Sequence, residues 1–455
     1  MTNSYDDYKK LLREFVSFKS ISTDEAFIPE INKTVGWLEK LFKSSGFKVK
    51  ILKGKTTNPV IFADYKVSDK LKTVLIYGHY DVQPASKTGG WYEDPFTLFE
   101  KNKKLVARGV VDNKGQVLVH IVTAINLIKS GRLKYNLKFL IEGNEETSNP
   151  DLPGLMKKYK KELKCSVVVV SDGELTNNKP SIEVSLRGGF NCTLTYTTGK
   201  NNLHSGIYGG GVPNAAYELS KFVGNLFNSN NSVNYKDFYD NTDKITKSQV
   251  INNKNLIKGG QSITKLAGVN TLLTEKGYDF YTQTGLRPTI QVTGIKSGYI
   301  DNGYANIVPA TSEVRLNFRI VESQTAKSVF LDFKKYVAKN TPKYVKYELT
   351  TNGLHDPIKV DINNEYVVDV EKLLEESYKS KVSRKYVGGA IPFVGDVKTI
   401  LGVDTLLVSL GNEDCNMHGA NENFDIDLIQ KALEFSHSFL TNDIVNLWQK
   451  RWKTN

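Results

Sequence analysis

The stretch from Leu75 to Pro84 constrains the fold of this chain more than any other segment. It begins with the apolar residues of a buried β-strand and ends abruptly in His79, Asp81 and a turn-forming proline. In open α/β sheets, ligands and catalytic groups collect at the carboxyl ends of strands, because each loop there faces a crevice. His79 and Asp81 lie two residues apart, so their side chains point to the same side of an extended segment. The stretch predicts a functional strand end, although a histidine that caps a turn would give the same local pattern.

Strand-like and helix-like segments alternate along much of the chain. Short β-rich runs precede an amphipathic helix predicted at Lys114–Lys129, and further apolar runs follow it. Near residue 186 the pattern changes to that of antiparallel strands, and the alternation of helix and strand returns towards the end. We therefore predict an α/β fold with a mostly parallel sheet and helices on both faces. This main domain comprises residues 1–186 and 357–455, and residues 187–356 form an inserted α+β domain.

The composition argues against nucleic-acid and membrane binding. The net charge is +12, but the lysines are scattered, and the basic residues include few of the arginines that read bases. We expect no nucleic-acid partner. No apolar run reaches the roughly 18 residues of a membrane-spanning helix. The first residues do not resemble a secretory signal, and three widely spaced cysteines do not suggest disulfides, so we expect a cytoplasmic protein.

Further polar residues stand at predicted strand ends or helix starts. They are Asp112, Glu145, Glu146, Asp172 and His418. Each has an ordinary structural explanation, such as a helix cap or a turn residue. Together with His79 they supply two histidines and enough carboxylates for two divalent cations that share one bridging carboxylate. One carboxylate remains as a candidate general base.

Several motifs in order along the chain resemble the dinuclear zinc exopeptidase family, which includes carnosinase, cysteinylglycine dipeptidases and related aminoacylases. They are HYDVQP at 79–84, GWYEDPF at 90–96, RGVVDNKG at 108–115, EGNEE at 142–146 and MHGANE at 417–422. The first two are more similar to the dipeptidase branch than to the deacylases. The resemblance implies hydrolysis of dipeptides or short peptides with a free carboxyl terminus. It also implies that the main domain is catalytic and that the insert is a lid and dimerisation domain of a homodimer.

The resemblance implies a metal role for five residues. Asp112 would bridge two cations, His79 and Asp172 would complete one site, and Glu146 and His418 would complete the other. We expect two divalent ions per subunit. Zinc is the expected metal, and manganese can use the same mixed ligand set.

Catalytic and substrate-binding roles also follow from the resemblance. Glu145 would be the general base, and Asp81 would orient His79. The residues expected to bind substrate are His204, Asn306, Arg319, Gly389 and Ala390. His204 resembles a lid histidine that reaches the other subunit's active site in dimeric members, and Arg319 resembles an arginine that binds the substrate carboxylate.

The chain departs from the family at two positions. Ala390 stands where many members have serine, which removes a hydroxyl donor and leaves the detailed substrate preference open. Asn113 stands where many have a second aspartate. Two alternatives to a dipeptidase remain. One is an N-acyl-amino-acid deacylase of the same fold, and the other is a non-catalytic binding protein on this scaffold.

Overall fold

The structure is a computed structural model that describes residues 2–258, 262–360, 364–389, 391–442 and 444. Its helices are α1 (Thr2–Ser17), α2 (Ile28–Ser44), α3 (Lys114–Lys129), α4 (Leu152–Lys158), α5 (Lys160–Leu163), α6 (Ser205–Tyr208), α7 (Ala215–Asn225), α8 (Lys247–Lys258), α9 (Ile263–Ala267), α10 (Phe280–Leu286), α11 (Ala326–Asn340), α12 (Glu365–Tyr378), α13 (Pro392–Asp396) and α14 (Ile426–Thr441). Its strands are β1 (Lys48–Leu52), β2 (Val60–Tyr65), β3 (Thr73–His79), β4 (Phe99–Lys101), β5 (Lys104–Val106), β6 (Asn136–Glu142), β7 (Val167–Val170), β8 (Ser181–Leu186), β9 (Gly188–Thr197), β10 (Leu203–His204), β11 (Thr289–Ser297), β12 (Ile307–Val308), β13 (Thr311–Ile320), β14 (Lys346–His355), β15 (Ile358–Lys359), β16 (Ser383–Val387), β17 (Thr405–Ser409) and β18 (Asn423–Asp425).

A nine-stranded sheet organises the main part of the molecule. Its strands run in the order β1-β2-β6-β3-β7-β17-β8-β15, and β16 also pairs with β8. The central strands β6, β3, β7 and β17 are mutually parallel, whereas β1, β2 and β15 pair antiparallel at the margins. Every residue of β7 and β17 is buried, as expected for parallel strands covered on both faces. The predicted largely parallel central sheet is confirmed.

Alternate residues of β3 enter two different apolar clusters. Val74 and Ile76 pack with residues of α1, α3 and α14. Leu75 and Tyr77 pack on the other side with residues of α4 and α13, where the ring of Tyr77 stacks on Phe393 with 3.8 Å between centroids. Helices therefore cover both faces of the sheet, as predicted.

A separate four-stranded antiparallel sheet has the order β11-β13-β9-β14. Its strands lie between Gly188 and His355, and α7 and α11 pack against it around a cluster of their own that includes Phe190, Phe318 and Phe333. These separate cores support the proposed domain limits at residues 187 and 356, which remain a prediction.

The polar region before residue 260 contains a helix that the sequence did not indicate. Residues Lys247–Lys258 form α8, which buries Asn253 and Leu256 and packs against α10 and β16. Only two of its residues are buried in the described structure, so it lacks the broad apolar face that reveals a helix in sequence.

The parallel strands bring the candidate functional residues to one edge of the sheet. His79 ends β3, Glu145 and Glu146 follow β6, and Asp172 follows β7. Asp112 lies just before α3, which passes close to β3 because Gly78 has no side chain: a Cβ there would lie 2.6 Å from Oδ1 of Asn113. In the part of the chain that the structure describes, no helix has the length and apolarity needed to cross a bilayer.

Candidate metal centre

Asp112 lies between the two candidate histidine ligands. Its Oδ1 is 3.1 Å from Nε2 of His79, and its Oδ2 is 2.9 Å from Nε2 of His418. Each carboxylate oxygen therefore faces a different imidazole. This is the arrangement required of a carboxylate that bridges two cations.

Two groups of ligand atoms share this aspartate. His79, Asp112 and Asp172 form one group, and Asp112, Glu146 and His418 form the other, with the ligand atoms of each group within 4.8 Å of one another. Nε2 of His79 is 3.6 Å from Oδ2 of Asp172, and Nε2 of His418 is 3.2 Å from Oε2 of Glu146. The fold therefore brings together all five residues expected to bind metal.

The surroundings of His79 suit a metal ion. Its imidazole is fully buried, and its Nδ1 lies 3.0 Å from the main-chain oxygen of Asp81. A hydrogen bond there places the ring proton on Nδ1, which leaves a lone pair on Nε2. Within the described structure Nε2 has no hydrogen-bond partner and faces carboxylate oxygens. A cation between these atoms would satisfy all of them, so the residues present fit a divalent metal.

The pKa shifts of these residues also indicate that a positive charge would stabilise the site. Hydrogen bonds with Asp112 and Glu146 raise the pKa of His418 to about 10. Burial raises the pKa of Asp172. Burial would also raise the pKa of Asp112, but the adjacent imidazoles of His418 and His79 outweigh it and hold that pKa below its ordinary range. Carboxylates crowded in this way are stabilised by cationic neighbours.

Asp81 connects His79 to the loop that carries Glu145 and Glu146. Its two carboxylate oxygens accept hydrogen bonds from the main-chain N–H groups of Glu145 and Glu146, each at 3.2 Å. The hydroxyl of Ser22 donates to the same carboxylate at 2.7 Å. Asp81 therefore contacts both the imidazole and the loop of the candidate base, as expected of a residue that orients His79. Ser22 was not identified from the sequence, because no apolar strand or glycine-rich motif accompanies it.

Glu145 has the environment of a base. Burial raises its pKa well above the ordinary value, and the nearby carboxylates of Asp172 and Asp112 act in the same direction, against the effect of His79. Glu146 is held separately, since the side-chain amide of Gln83 donates to its Oε2 at 2.7 Å. The adjacent glutamates therefore have different surroundings.

Arg319 lies in the wall of a cavity of about 930 Å³ that also includes Thr147 and Ser148 from the loop after Glu146. Its Nε donates a hydrogen bond to Asn317. Arg187 lines the same cavity. Neither arginine takes part in an ion pair among the described residues. Burial and the charge of Arg319 lower the pKa of Arg187 to about 9. Two guanidinium groups on the cavity wall therefore have no carboxylate partner among the described residues.

The strand register adds His355 to this wall. Gly189 of β9 pairs with Arg319 on one side and with His355 on the other. Neither Arg187 nor His355 was predicted to be functional, because both precede or end strands without a recognisable motif. Their position beside Arg319 is visible only in the assembled sheet.

The remaining predicted substrate residues are not brought to the metal centre by any described contact. His204 is exposed at the end of β10, where the main-chain N–H of Ser205 donates to the main-chain oxygen of Asn306. Gly389 follows Gly388, whose main-chain oxygen accepts a hydrogen bond from Nε of Arg187 at 3.2 Å. Ala390 lies outside the described residues.

The peptide bond between Asp112 and Asn113 is cis.

This α/β fold with its clustered imidazoles and carboxylates places the chain among proteins with a site that can hold divalent metal ions. The sequence pattern described as Peptidase family M20/M25/M40 matches residues 75–442. The chain belongs to this family.

Known proteins similar to the chain carry related names. The Cys-Gly metallodipeptidase DUG1 of Candida albicans is 26% identical over 91% of this chain and 90% of its own length. The Beta-Ala-His dipeptidase of Rattus norvegicus is 26% identical over 84% of this chain and 80% of its own length. The crystal structure of an M20 family metallo-carboxypeptidase, Sso-CP2 of Sulfolobus solfataricus, superposes with a TM-score of 0.84 at 28% identity, covering 95% of this chain and 98% of that one.

These findings confirm several predictions. The family resemblance, the fold class and the assignment as a metal-dependent peptidase are confirmed. Divalent-metal binding is supported by family membership together with the clustered donor residues. An enzyme is therefore favoured over a non-catalytic binding protein.

Proposed function

We propose that this protein hydrolyses the peptide bond of dipeptides or short peptides with a free carboxyl terminus, using two divalent cations. The observation that carries the proposal is the position of Asp112, whose two oxygens face His79 and His418 separately. The names of the curated relatives, a Cys-Gly metallodipeptidase and a Beta-Ala-His dipeptidase, support this substrate class.

Asp112 would be shared by the two cations, with His79 and Asp172 on one side and Glu146 and His418 on the other. We infer zinc as the metal, and manganese as the alternative, because imidazole and carboxylate ligands suit both. The chemistry that such cations supply when bound is polarisation of the scissile carbonyl and acidification of the attacking water.

Glu145 would move the proton. Its raised pKa makes its carboxylate a better base, so it can take a proton from the attacking water and later give it to the leaving amine. Asp81 would keep His79 in the ligating tautomer and fix the main chain of Glu145. His204 would donate to the oxygen on which charge develops.

The substrate's free carboxylate would bind Arg319. The support is that Arg319 and Arg187, which have no ion-pair partner among the described residues, line a cavity that continues to the loop after Glu146. A planar guanidinium can bind a carboxylate through two parallel hydrogen bonds. Asn306, Gly389 and Ala390 complete the proposed set of substrate contacts.

We also propose a homodimer formed through the inserted domain, with His204 reaching the partner's site. Apolar side chains are exposed beside His204, at Ile207 and Tyr208 of α6, and along β11, an outer strand of the four-stranded sheet, at Val292 and Ile295. An outer strand with exposed apolar residues is suited to pairing with a second copy.

The three cysteines form no disulfide, which supports the proposed cytoplasmic location.

Metal analysis and substrate assays on the purified protein test the proposal. We expect two equivalents of metal per chain, loss of hydrolysis after chelation, and recovery with zinc or manganese. Cys-Gly, β-Ala-His and an N-acetyl amino acid should be assayed side by side, and we expect cleavage of the dipeptides. Deacylation without dipeptide cleavage would instead identify the protein as a deacylase. Absence of both metal and metal-restored hydrolysis would exclude the proposed catalysis.

A further inference from the structure

A buried ion pair outside the proposed ligand set connects the two loops that carry Asp112 and His418. The carboxylate of Glu422 is fully buried and accepts four hydrogen bonds. One comes from Nη1 of Arg108 at 2.8 Å. The others come from the main-chain N–H groups of Gly109, Val111 and Asp112 at 2.9, 2.9 and 3.0 Å. Glu422 therefore fixes the main chain on which the shared aspartate stands.

Arg108 completes the connection to the histidine loop. Its Nη2 donates to the main-chain oxygens of His418 and Gly419, each at 3.2 Å. Its side chain is buried, and its guanidinium lies 5.2 Å from the centre of the Trp91 ring. One planar guanidinium thus binds a carboxylate and two carbonyls at once, which the single amine of a lysine cannot reproduce.

The two candidate metal positions depend on this pair to different degrees. His79 is fully buried and is held by Asp81, so its place is secured by its own surroundings. The side chain of His418 is 56% exposed, and its main chain has the left-handed φ of +62°. Because little packing holds this imidazole, its position depends on the main chain that Arg108 binds.

We propose that Arg108 and Glu422 are positioning residues that set the metal affinity of the site formed by Asp112, Glu146 and His418. This inference rests on the proposed two-metal function. Residues that orient ligands from outside a metal site typically change its affinity by about 10- to 100-fold. The site formed by His79, Asp112 and Asp172 should be affected less, because Asp81 and the buried environment of His79 remain unchanged.

Zinc titrations test the proposal on the parent protein and on the variants Arg108→Lys and Glu422→Gln. Competition against a chromophoric chelator measures the dissociation constants of both sites. The matched control is Arg384→Lys. Arg384 also forms a two-bond pair with a glutamate, Glu371, at 2.7 and 3.0 Å, but lies outside the site. We expect one dissociation constant to rise at least about tenfold in each test variant while the other changes little. Added zinc should restore hydrolysis in these variants, and the control should bind like the parent.

The outcomes separate this inference from the function on which it rests. A parent protein that binds fewer than two zinc ions would contradict the proposed metal site itself. The inference is wrong if the parent binds two zinc ions and the folded variants bind their weaker zinc ion with a dissociation constant within about twofold of that of the parent. Equal weakening of both sites would also overturn it. If Arg384→Lys folds and neither test variant does, the pair serves folding and the inference is again wrong.

Discussion

At the scale of single residues, the site combines similar side chains in different environments. Glu145 and Glu146 are adjacent, yet Glu146 accepts a hydrogen bond from Gln83 and faces His418, whereas desolvation and nearby carboxylates raise the pKa of Glu145. These different surroundings suit the two carboxylates to the different roles proposed for them, metal ligand for Glu146 and general base for Glu145. Arg319 and Arg315 on β13 differ in the same way, because Arg315 pairs with Glu313 whereas Arg319 has no carboxylate partner among the described residues.

Replacing Glu145 should abolish proton transfer and leave the metal ligands in place. We expect Glu145→Ala to lower kcat at least about 100-fold while bound metal and thermal stability stay near those of the parent. Steady-state kinetics and metal analysis on the same preparations measure this. Glu348→Ala, which removes an exposed glutamate from β14, should behave like the parent. Full activity of Glu145→Ala would show that the base is elsewhere.

Replacing Arg319 should weaken binding of the substrate carboxylate. We expect Arg319→Lys to raise KM for a dipeptide about tenfold or more, because lysine cannot make two parallel bonds to a carboxylate. A dipeptide amide, which lacks that carboxylate, should show little difference between parent and variant. Arg315→Lys is the control on the same strand, where Arg315 is paired with Glu313. An unchanged KM for the free dipeptide would exclude this role for Arg319.

At the scale of elements, α3 packs against the segments that carry the candidate metal ligands. It begins just after Asp112, and its buried His120 connects neighbouring elements: Nε2 lies 3.0 Å from the hydroxyl of Ser171, which precedes Asp172, and Nδ1 lies 3.0 Å from the hydroxyl of Ser436 on α14. A buried imidazole with two hydroxyl partners is stable when neutral. The helix therefore carries a group whose protonation would disturb the packing beneath the site.

Acidification should destabilise the protein through His120. Burial lowers the pKa of His120 from 6.5 to about 4. Between those values the unfolded chain binds a proton that the folded protein does not, so stability falls as the pH falls through this range. From pH 7.5 to pH 4, the free energy of unfolding of the parent should fall by about 3 kcal/mol more than that of His120→Gln. Urea denaturation at both pH values measures this, and equal losses would assign the acid sensitivity to other groups.

At the scale of the whole molecule, the two sheets have separate apolar cores, and the proposed dimer would bring residues of one insert to the other subunit. His204 is exposed in the isolated chain and contacts Gly206 through its own Nδ1. A shared site has a direct consequence in mixtures of variants. Each active site would need Glu145 from one chain and His204 from the other.

Mixing two inactive variants should restore activity if the site is shared. We expect His204→Ala and Glu145→Ala to be nearly inactive alone, and a mixture allowed to exchange subunits to recover up to about a quarter of parent activity, since half of the dimers are mixed and each has one intact site. Size-exclusion chromatography should show exchangeable dimers. No recovery in a mixture with demonstrated exchange would place His204 in its own subunit's site.

Local sequence patterns indicate the elements that carry the site. The apolar runs before His79, Glu145 and Asp172 are local, so their periodicity and polar ends are readable without a structure, and α3 has the bounds that its pattern predicts. Resemblance to a family supplied the proposed roles. These predictions depend on residues close together in the chain.

The way in which these elements meet follows from long-range packing. The two oxygens of Asp112 face different histidines because parallel strands and α3 converge at one edge of the sheet. Arg108 and Glu422 are 314 positions apart, and His355 reaches the cavity of Arg319 through the register of a separate sheet. Local pattern carries no information about such pairs, because their energy comes from contacts that exist only after distant segments have packed together.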